Sequence, residues 1–151
     1  MRRTGIKLIQ QQLRFWREKK NNMDLTSYGA ISKNFKIIAR MKNFFTLIKN
    51  GKVEQHRLDC YSVNDINNSV LSAIFDKFDS CRIPQPKNTE IFYPSENYPD
   101  HVDEGGMSYF IALEEGRFTI ENVSYPIVPY VLYEFQDSKP HNTNFGAIML
   151  K

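Results

Sequence analysis

Apolar positions recur at helical spacing between Ser27 and Asn50. They advance by three or four residues, as one face of an amphipathic helix does, and they are Ile31, Phe35, Ile38, Met41, Phe45 and Ile48. This stripe predicts a helix over about 28–50. Asn50 and Gly51 favour its end there, because residues of these types readily adopt a positive φ.

A second apolar stripe follows about fifteen residues later, with steps of four: Ile66, Val70, Ile74 and Phe78. It predicts a helix over 63–79, with Ser62 or Asn64 as the capping residue. The first half of the chain is therefore expected to supply two helices.

The chain beyond residue 80 favours extended structure. Four prolines interrupt any continuous helix over 80–106, namely Pro84, Pro86, Pro94 and Pro99. A short strand is predicted within this stretch, over 90–93. The apolar segment 145–150 predicts a last strand after a polar turn.

Two apolar and aromatic segments, 107–113 and 117–123, flank the sequence Glu114-Glu115-Gly116. This pattern predicts a β-hairpin with the glycine in its turn. The next segment, 124–136, fits a helix that opens at Pro126, and it equally fits a strand rich in β-branched and aromatic residues. Periodicity leaves both interpretations open.

These elements together predict an α+β fold in which two N-terminal helices pack on a small antiparallel sheet built from residues 90–150. A chain of 151 residues suits one compact domain. We therefore assign residues 23–151 to a single α+β domain and residues 1–22 to a basic arm or extension.

Charge is distributed unevenly along the chain, although the formal net charge is only +3. Residues 1–22 carry seven Lys and Arg against one acid, Glu18, and so have a charge of +6. Residues 90–137 carry ten Asp and Glu against one base, Arg117, and so have a charge of −9. The basic segment and the acidic segment are expected to attract different partners.

The basic segment has three interpretations. Its apolar positions Ile6, Ile9, Leu13 and Trp16 fit an amphipathic helix, which would lie on an anionic membrane surface or dock on the acidic half of the protein. Alternatively, Met23 is the true start and the segment is an extension. No apolar run is long enough to span a bilayer, and no secretory signal is evident, so we expect a cytoplasmic protein without a membrane partner.

Residues suited to catalysis are scattered along the chain. The three histidines are His56, His101 and His141, and only Glu54-x-His56 and His101-x-Asp103-Glu104 combine imidazole with carboxylate locally. A transition-metal site needs three or four converging ligands, so the sequence predicts no metal, no cofactor and no enzyme. His101 or His56 converging on carboxylates in a pocket would indicate an enzyme instead.

Two binding functions fit the charge distribution. Lysines and arginines of residues 1–22 and of the first helix would allow an accessory or regulatory protein to bind nucleic acid, but the acidic half would repel phosphate. Carboxylates with interleaved aromatic side chains instead suit a basic protein partner, because opposite charge speeds encounter and aromatic anchors slow dissociation. We therefore favour a protein partner and do not expect nucleic acid.

The acidic region also resembles a known family. The resemblance rests on residues 92–96, on Pro99-Asp100 with Asp103-Glu104-Gly105-Gly106, and on 109–112, Glu115-Gly116 and 118–120. These sequences resemble immunity proteins of bacterial polymorphic and contact-dependent growth-inhibition toxin systems, particularly those paired with ribonuclease toxins. The resemblance covers residues 90–136.

The resemblance implies a protein that binds one cognate basic toxin, a nuclease, and blocks its active site or an exosite. The residues that it implies for toxin binding are Glu96, Asp100, Asp103, Glu104, Tyr93, Tyr98, Tyr109, Glu114 and Glu115. No catalytic residue is implied.

Overall fold

The computed structural model describes residues 24–94 and 98–151. In this part of the chain the helices are α1 Phe35–Lys49 and α2 Asn68–Ser80. The strands are β1 Leu25–Ala30, β2 Gln55–Arg57, β3 Cys60–Tyr61, β4 Thr89–Phe92, β5 Met107–Ala112, β6 Gly116–Ile120, β7 Val123–Ile127, β8 Val131–Gln136, β9 His141–Thr143 and β10 Ala147–Leu150.

The strands form two antiparallel sheets that face each other. The major sheet has seven strands in the order β1-β8-β5-β10-β4-β3-β2, and the minor sheet has three in the order β7-β6-β9. Phe110 and Ala147 of the major sheet belong to one buried cluster with Phe118 and Ile120 of the minor sheet. This cluster is the core between the sheets.

The two helices cover the opposite face of the major sheet. Met41 of α1 and Ile74 of α2 are buried in one cluster with Ile91, Ile111 and Ile148 of the sheet. The central strands are thus buried on both faces, which is why β5 is apolar almost throughout rather than alternating.

The predicted fold class is wrong. The structure is β-rich, and its helices pack on a sheet of seven strands rather than on a small sheet. Strands β1, β2 and β3 come from residues 25–61, which were expected to be helix or loop. They have two to six residues each, and such short strands leave no periodic signal comparable to that of a helix.

The helix boundaries also differ from the prediction. Helix α1 begins at Phe35 because Asn34 caps it, accepting a hydrogen bond from the Lys36 N–H at 2.9 Å. Phe35, which the stripe placed in the core, is 75 % exposed. Asn67 caps α2, in place of Ser62 or Asn64.

The stripe of α2 is confirmed, since all four of its predicted residues are buried. So is the end of α1, where Asn50 is the C-cap and Gly51 has a φ of +68°. Strand β4 confirms the strand predicted over 90–93, and β10 confirms the strand predicted over 145–150.

The predicted hairpin is wrong. Strand β5 pairs with β8 and β10 in the major sheet, whereas β6 pairs with β7 and β9 in the minor sheet. Residues 113–115 therefore carry the chain from one sheet to the other. The ambiguous segment 124–136 contributes strands to both sheets, most of β7 and all of β8.

The predicted basic arm, residues 1–22, lies outside the described residues. Among the residues that are described, no helix has the length and apolar character needed to cross a membrane.

Candidate metal centre

A cavity of about 760 Å³ opens between the two sheets. Its walls include Cys60 of β3 and Phe92 of β4 from the major sheet, and Thr143 of β9 from the minor sheet. The loop after β4 contributes Tyr98 and Glu104. Concave sites of this size are typical of small-molecule binding.

Two histidines lie side by side on the cavity wall. His101 forms an isolated antiparallel bridge with His141 of β9, and each residue donates its backbone N–H to the other's carbonyl, at 3.0 and 2.9 Å. Directly opposed residues of an antiparallel pair project their side chains from the same face. The centroids of the two imidazole rings are consequently 4.3 Å apart.

Asp103 joins the two histidines because it lies two residues after His101. In an extended segment, alternate residues share a face. Its Oδ2 lies 3.3 Å from His141 Nε2 and 4.0 Å from His101 Nε2. One ligand atom from each of the three residues lies within 4.8 Å of the others, and all three residues line the cavity.

Backbone carbonyls fix the orientation of both imidazoles. His141 Nδ1 lies 2.8 Å from the carbonyl oxygen of Lys139, and His101 Nδ1 lies 3.4 Å from that of Pro99. A carbonyl oxygen only accepts hydrogen bonds, so each Nδ1 is placed to donate to one. Each Nε2 faces Asp103, and a donating Nδ1 with a free Nε2 is the arrangement that supports a metal-binding histidine.

Aromatic packing holds His141 in place. Its side chain is 2 % exposed and lies against Phe135, with ring centroids 4.8 Å apart, and against Phe118, at 6.1 Å. On the other side of the cluster, the Tyr98 ring meets His101 edge-on at 5.2 Å. Rigid support of this kind preorganises a ligand set.

An ion pair between the buried Asp137 and the exposed Lys151 lies in the wall of the cavity. Asp137 Oδ2 accepts hydrogen bonds from Lys151 Nζ at 2.6 Å and from Ser108 Oγ at 2.5 Å. Burial alone would raise the pKa of Asp137, but the hydrogen bonds from Lys151 and Ser108 outweigh it and lower the pKa below its ordinary value. The same contact with Asp137 raises the pKa of Lys151.

A second ion pair lies at the rim of the cavity. The Arg57 guanidinium contacts Glu90 Oε2 at 2.8 Å, and both residues line the cavity. Burial raises the pKa of the neighbouring Cys60 thiol, so the thiol stays protonated at neutral pH. Leu58 and Val102 extend the rim with exposed aliphatic side chains.

The three side chains are two imidazoles and one carboxylate, and they leave the side facing the cavity open. This arrangement fits a catalytic transition-metal ion. Structural zinc sites are closed by four protein ligands, whereas catalytic sites keep positions free for water or substrate. Two histidines and one carboxylate with open positions are typical of non-haem iron(II) oxygenases. Within the described residues, His101, Asp103 and His141 form the one cluster of this kind.

The residues implied for toxin binding lie in different surroundings. Asp103 belongs to the histidine cluster, Tyr98 and Glu104 line the cavity, and Asp100 and Glu115 are exposed. Glu114 accepts a hydrogen bond from the Gly146 N–H at 2.7 Å, Tyr93 packs on Phe45, Tyr109 is buried against Phe78, and Glu96 lies outside the described residues.

Sequence reasoning found two of the three candidate ligands as a pair but not the third. The His101-x-Asp103 spacing was visible as a local combination, whereas His141 lies 40 residues beyond His101. Only the pairing of β9 with the loop before β5 brings it into the cluster. An x-Pro-His sequence that opens a short strand gives no signal of that pairing.

No family model matches this chain, and no curated protein matches it. Among solved structures, the chain is similar to the crystal structure of a Pseudomonas putida prolyl-4-hydroxylase, with 11 % identity and a TM-score of 0.47. The match covers 88 % of this chain and 92 % of that chain. A likeness at this level does not show a shared activity.

Proposed function

We propose that this protein is a non-haem iron(II) oxygenase that uses a 2-oxo acid as its reducing co-substrate. The observation that carries the proposal is the convergence of His101, Asp103 and His141 on one side of an open cavity. Both histidines present Nε2 to the site while their Nδ1 atoms donate to backbone carbonyls.

The number and type of ligands favour iron(II) over other metals. Calcium and magnesium prefer shells made of oxygen atoms alone, so two imidazoles count against them. Zinc with two histidines and a carboxylate catalyses hydrolysis, and this chemistry is the main competitor. A metal held by three ligands on one face keeps enough open positions for both a chelating 2-oxo acid and dioxygen.

The proposed reaction balances without any further cofactor. One oxygen atom of O₂ enters a C–H bond of the substrate to form an alcohol, and the other enters the 2-oxo acid, which loses CO₂ and becomes a carboxylic acid one carbon shorter. The C–H bond and the 2-oxo acid each supply two of the four electrons that reduce O₂. The bound metal supplies the redox chemistry of this step.

The chain's own residues would bind and orient the reactants. His101, Asp103 and His141 hold the metal, and the carbonyls of Pro99 and Lys139 fix the two imidazoles. The cavity wall contributes aromatic and aliphatic side chains that suit an organic substrate.

Oxygen uptake tests this function. The full chain is supplied with iron(II), ascorbate and either pyruvate or 2-oxoglutarate, and O₂ consumption and CO₂ release are followed. Ascorbate provides the two electrons that an absent substrate would give. We expect uptake that requires both the metal and a 2-oxo acid, falls at least tenfold in Asp103→Ala and persists in the matched control Asp100→Asn. Tight zinc binding without any metal-dependent oxygen uptake would contradict the proposal and favour a hydrolase.

The hypothesis of a toxin inhibitor stays a prediction. Exposed carboxylates such as Asp100, Glu104 and Glu115 would be available to a basic partner. Reversing the charge of Asp100 and Glu115, which lie outside the metal cluster, should weaken a complex with a basic nuclease far more than reversing Lys33 and Lys36. Equal effects of the two pairs would count against it.

The alternative of nucleic-acid binding rests mainly on residues 1–22, which lie outside the described residues. It too stays a prediction. Its test compares the retention of two chains on an anionic column, the full chain and a chain beginning at Met23. Nucleic-acid binding predicts that the shorter chain loses retention.

A further inference from the structure

Helix α1 and its flanking residues carry positive charge that no neighbouring acid balances. Residues 32–52 contain no Asp or Glu. All six cations in this range are exposed, namely Lys33, Lys36, Arg40, Lys42, Lys49 and Lys52. Within the described ranges 24–94 and 98–151, none of the six forms an ion pair. Arg40 donates to Ser69 Oγ of α2, and Lys49 Nζ lies 4.7 Å from the Phe45 ring centroid, but neither contact neutralises a charge.

The cations at the start of α1 are badly placed for helix stability. The N-terminal end of a helix carries partial positive charge and favours acidic side chains. The first turn of α1 has no acidic residue, and Lys33 and Lys36 flank Phe35, at which the helix begins. A bound anion would relieve this repulsion, so the charge of α1 indicates an anionic partner.

The exposed face of α1 is a shallow strip. Ala39, Asn43 and Thr46 are exposed along its middle, at spacings of four and three residues that keep them on one face. The cations Lys36 and Lys42 lie on either side of this ridge. A helix of 15 residues is about 22 Å long, so the strip presents its charges over that distance.

A flat anionic surface fits this strip better than a nucleic-acid groove does. The major groove of DNA admits a whole helix. Helix α1, however, packs on the major sheet through Met41 and Ile48, and α2 lies beside it, so it has only one face to offer. Phe35 is 75 % exposed between two lysines. An exposed aromatic ring among cations is typical of proteins that lie on anionic membranes.

We propose that the exposed face of α1 binds an anionic lipid surface, with its cations on the headgroups and Phe35 inserted between them. The helices and the cavity lie on opposite sides of the major sheet, so binding through α1 leaves the cavity uncovered. The expectation of no membrane partner rested on the lack of a spanning segment and of a secretory signal, and a peripheral surface needs neither. This inference does not depend on the proposed function.

Vesicle binding by the full chain tests the inference. Co-sedimentation is measured with vesicles of phosphatidylcholine alone and with vesicles of equal parts phosphatidylcholine and phosphatidylserine. We expect binding only to the anionic vesicles, and at least tenfold weaker binding in Lys36→Glu/Lys42→Glu. The matched control Lys87→Glu/Arg117→Glu makes the same charge change at exposed cations outside α1, and its affinity should stay within twofold of the wild type. Both variants keep residues 1–22, so a loss confined to the first assigns the binding to α1.

Tryptophan fluorescence tests the role of Phe35. The chain has one tryptophan, Trp16, so the variant Trp16→Phe/Phe35→Trp has its only indole at the start of α1. We expect its emission to shift to shorter wavelength on anionic vesicles, because the headgroup region is less polar than water. Phe35→Ala should weaken vesicle binding without changing the core, since the Phe35 side chain lies outside it.

Three results would overturn the inference. They are no binding to the anionic vesicles, equal affinities of the Lys36→Glu/Lys42→Glu variant and its control, and an emission maximum that the vesicles leave unchanged. Binding of duplex DNA that is lost in Lys36→Glu/Lys42→Glu, without vesicle binding, would assign the same surface to nucleic acid instead. None of these measurements uses a metal or a 2-oxo acid, so each outcome leaves the proposed function standing.

Discussion

His101 and His141 each donate a backbone hydrogen bond to the other's carbonyl, although 40 residues separate them in the sequence. This bridge places two imidazoles on one face with ring centroids 4.3 Å apart, and the extended backbone after His101 adds Asp103. The candidate ligand set is therefore a product of sheet pairing rather than of a contiguous motif.

Alkaline titration is expected to reveal a protected tyrosine. Burial, together with the hydrogen bond to Glu134 at 3.0 Å, raises the pKa of Tyr28 to about 12. The folded state thus favours the neutral phenol. Its contribution to stability is complete below the ordinary pKa of about 10 and is lost as pH rises through about 12.

Tyrosinate absorbance measures this titration. Glu134→Gln should lower the midpoint of Tyr28 but leave it above about 10, because the neighbouring charge is gone while burial, the larger cause, remains. The part of the absorbance change that is lost in Tyr28→Phe is the part that belongs to Tyr28. A Tyr28 midpoint that is already near its ordinary value in the wild type would contradict the buried contact with Glu134.

Acid is expected to reduce the free energy of unfolding because it protonates Asp137. Because its pKa is lower in the folded state than the unfolded value of about 3.9, the carboxylate contributes stability above about pH 4. That contribution is lost as pH falls through the folded pKa. Urea unfolding at several pH values should show a smaller loss of stability below pH 4 in Asp137→Asn than in the wild type, and Asp100→Asn is the exposed control. An identical acid dependence in Asp137→Asn would be the opposing result.

Gly146 leaves no room for a side chain. A Cβ at this position would lie 2.5 Å from Cε1 of Phe45, on helix α1. We expect Gly146→Ala to reduce the free energy of unfolding by about 1–3 kcal/mol, as overpacked cores do. The cost should shrink when Phe45→Leu provides space, so the two changes should be non-additive in a double-mutant cycle of urea unfolding. Strictly additive costs would rule out this contact as the cause.

The helices could be predicted from the sequence because their apolar residues recur every three or four positions within one segment. The stripe of α2 was predicted correctly down to Phe78, whereas Phe35 shows that spacing alone does not fix where a helix begins. The full extent of the major sheet was not predicted, although its strands β4 and β10 were, because strands as short as β3 show no alternation that would indicate a strand.

The candidate site was half predictable for a related reason. The His101-x-Asp103 spacing can be recognised from the sequence alone, and a pocket in which His101 meets carboxylates indicates an enzyme. The position of His141 depends on β9 pairing with a loop that follows β4 by several residues. Such non-local register is not encoded in the spacing of residues along the chain.

Titration with manganese(II) in the absence of oxygen tests the central claim most directly. Calorimetry and electron paramagnetic resonance follow binding to the full chain, to Asp103→Ala and to Glu104→Ala, which removes the adjacent carboxylate outside the cluster. We predict one equivalent of manganese bound by the wild type and by Glu104→Ala, and at least a tenfold loss of affinity in Asp103→Ala. No saturable binding by the wild type, or equal affinities in the two variants, would contradict the assignment of His101, Asp103 and His141 as a metal centre.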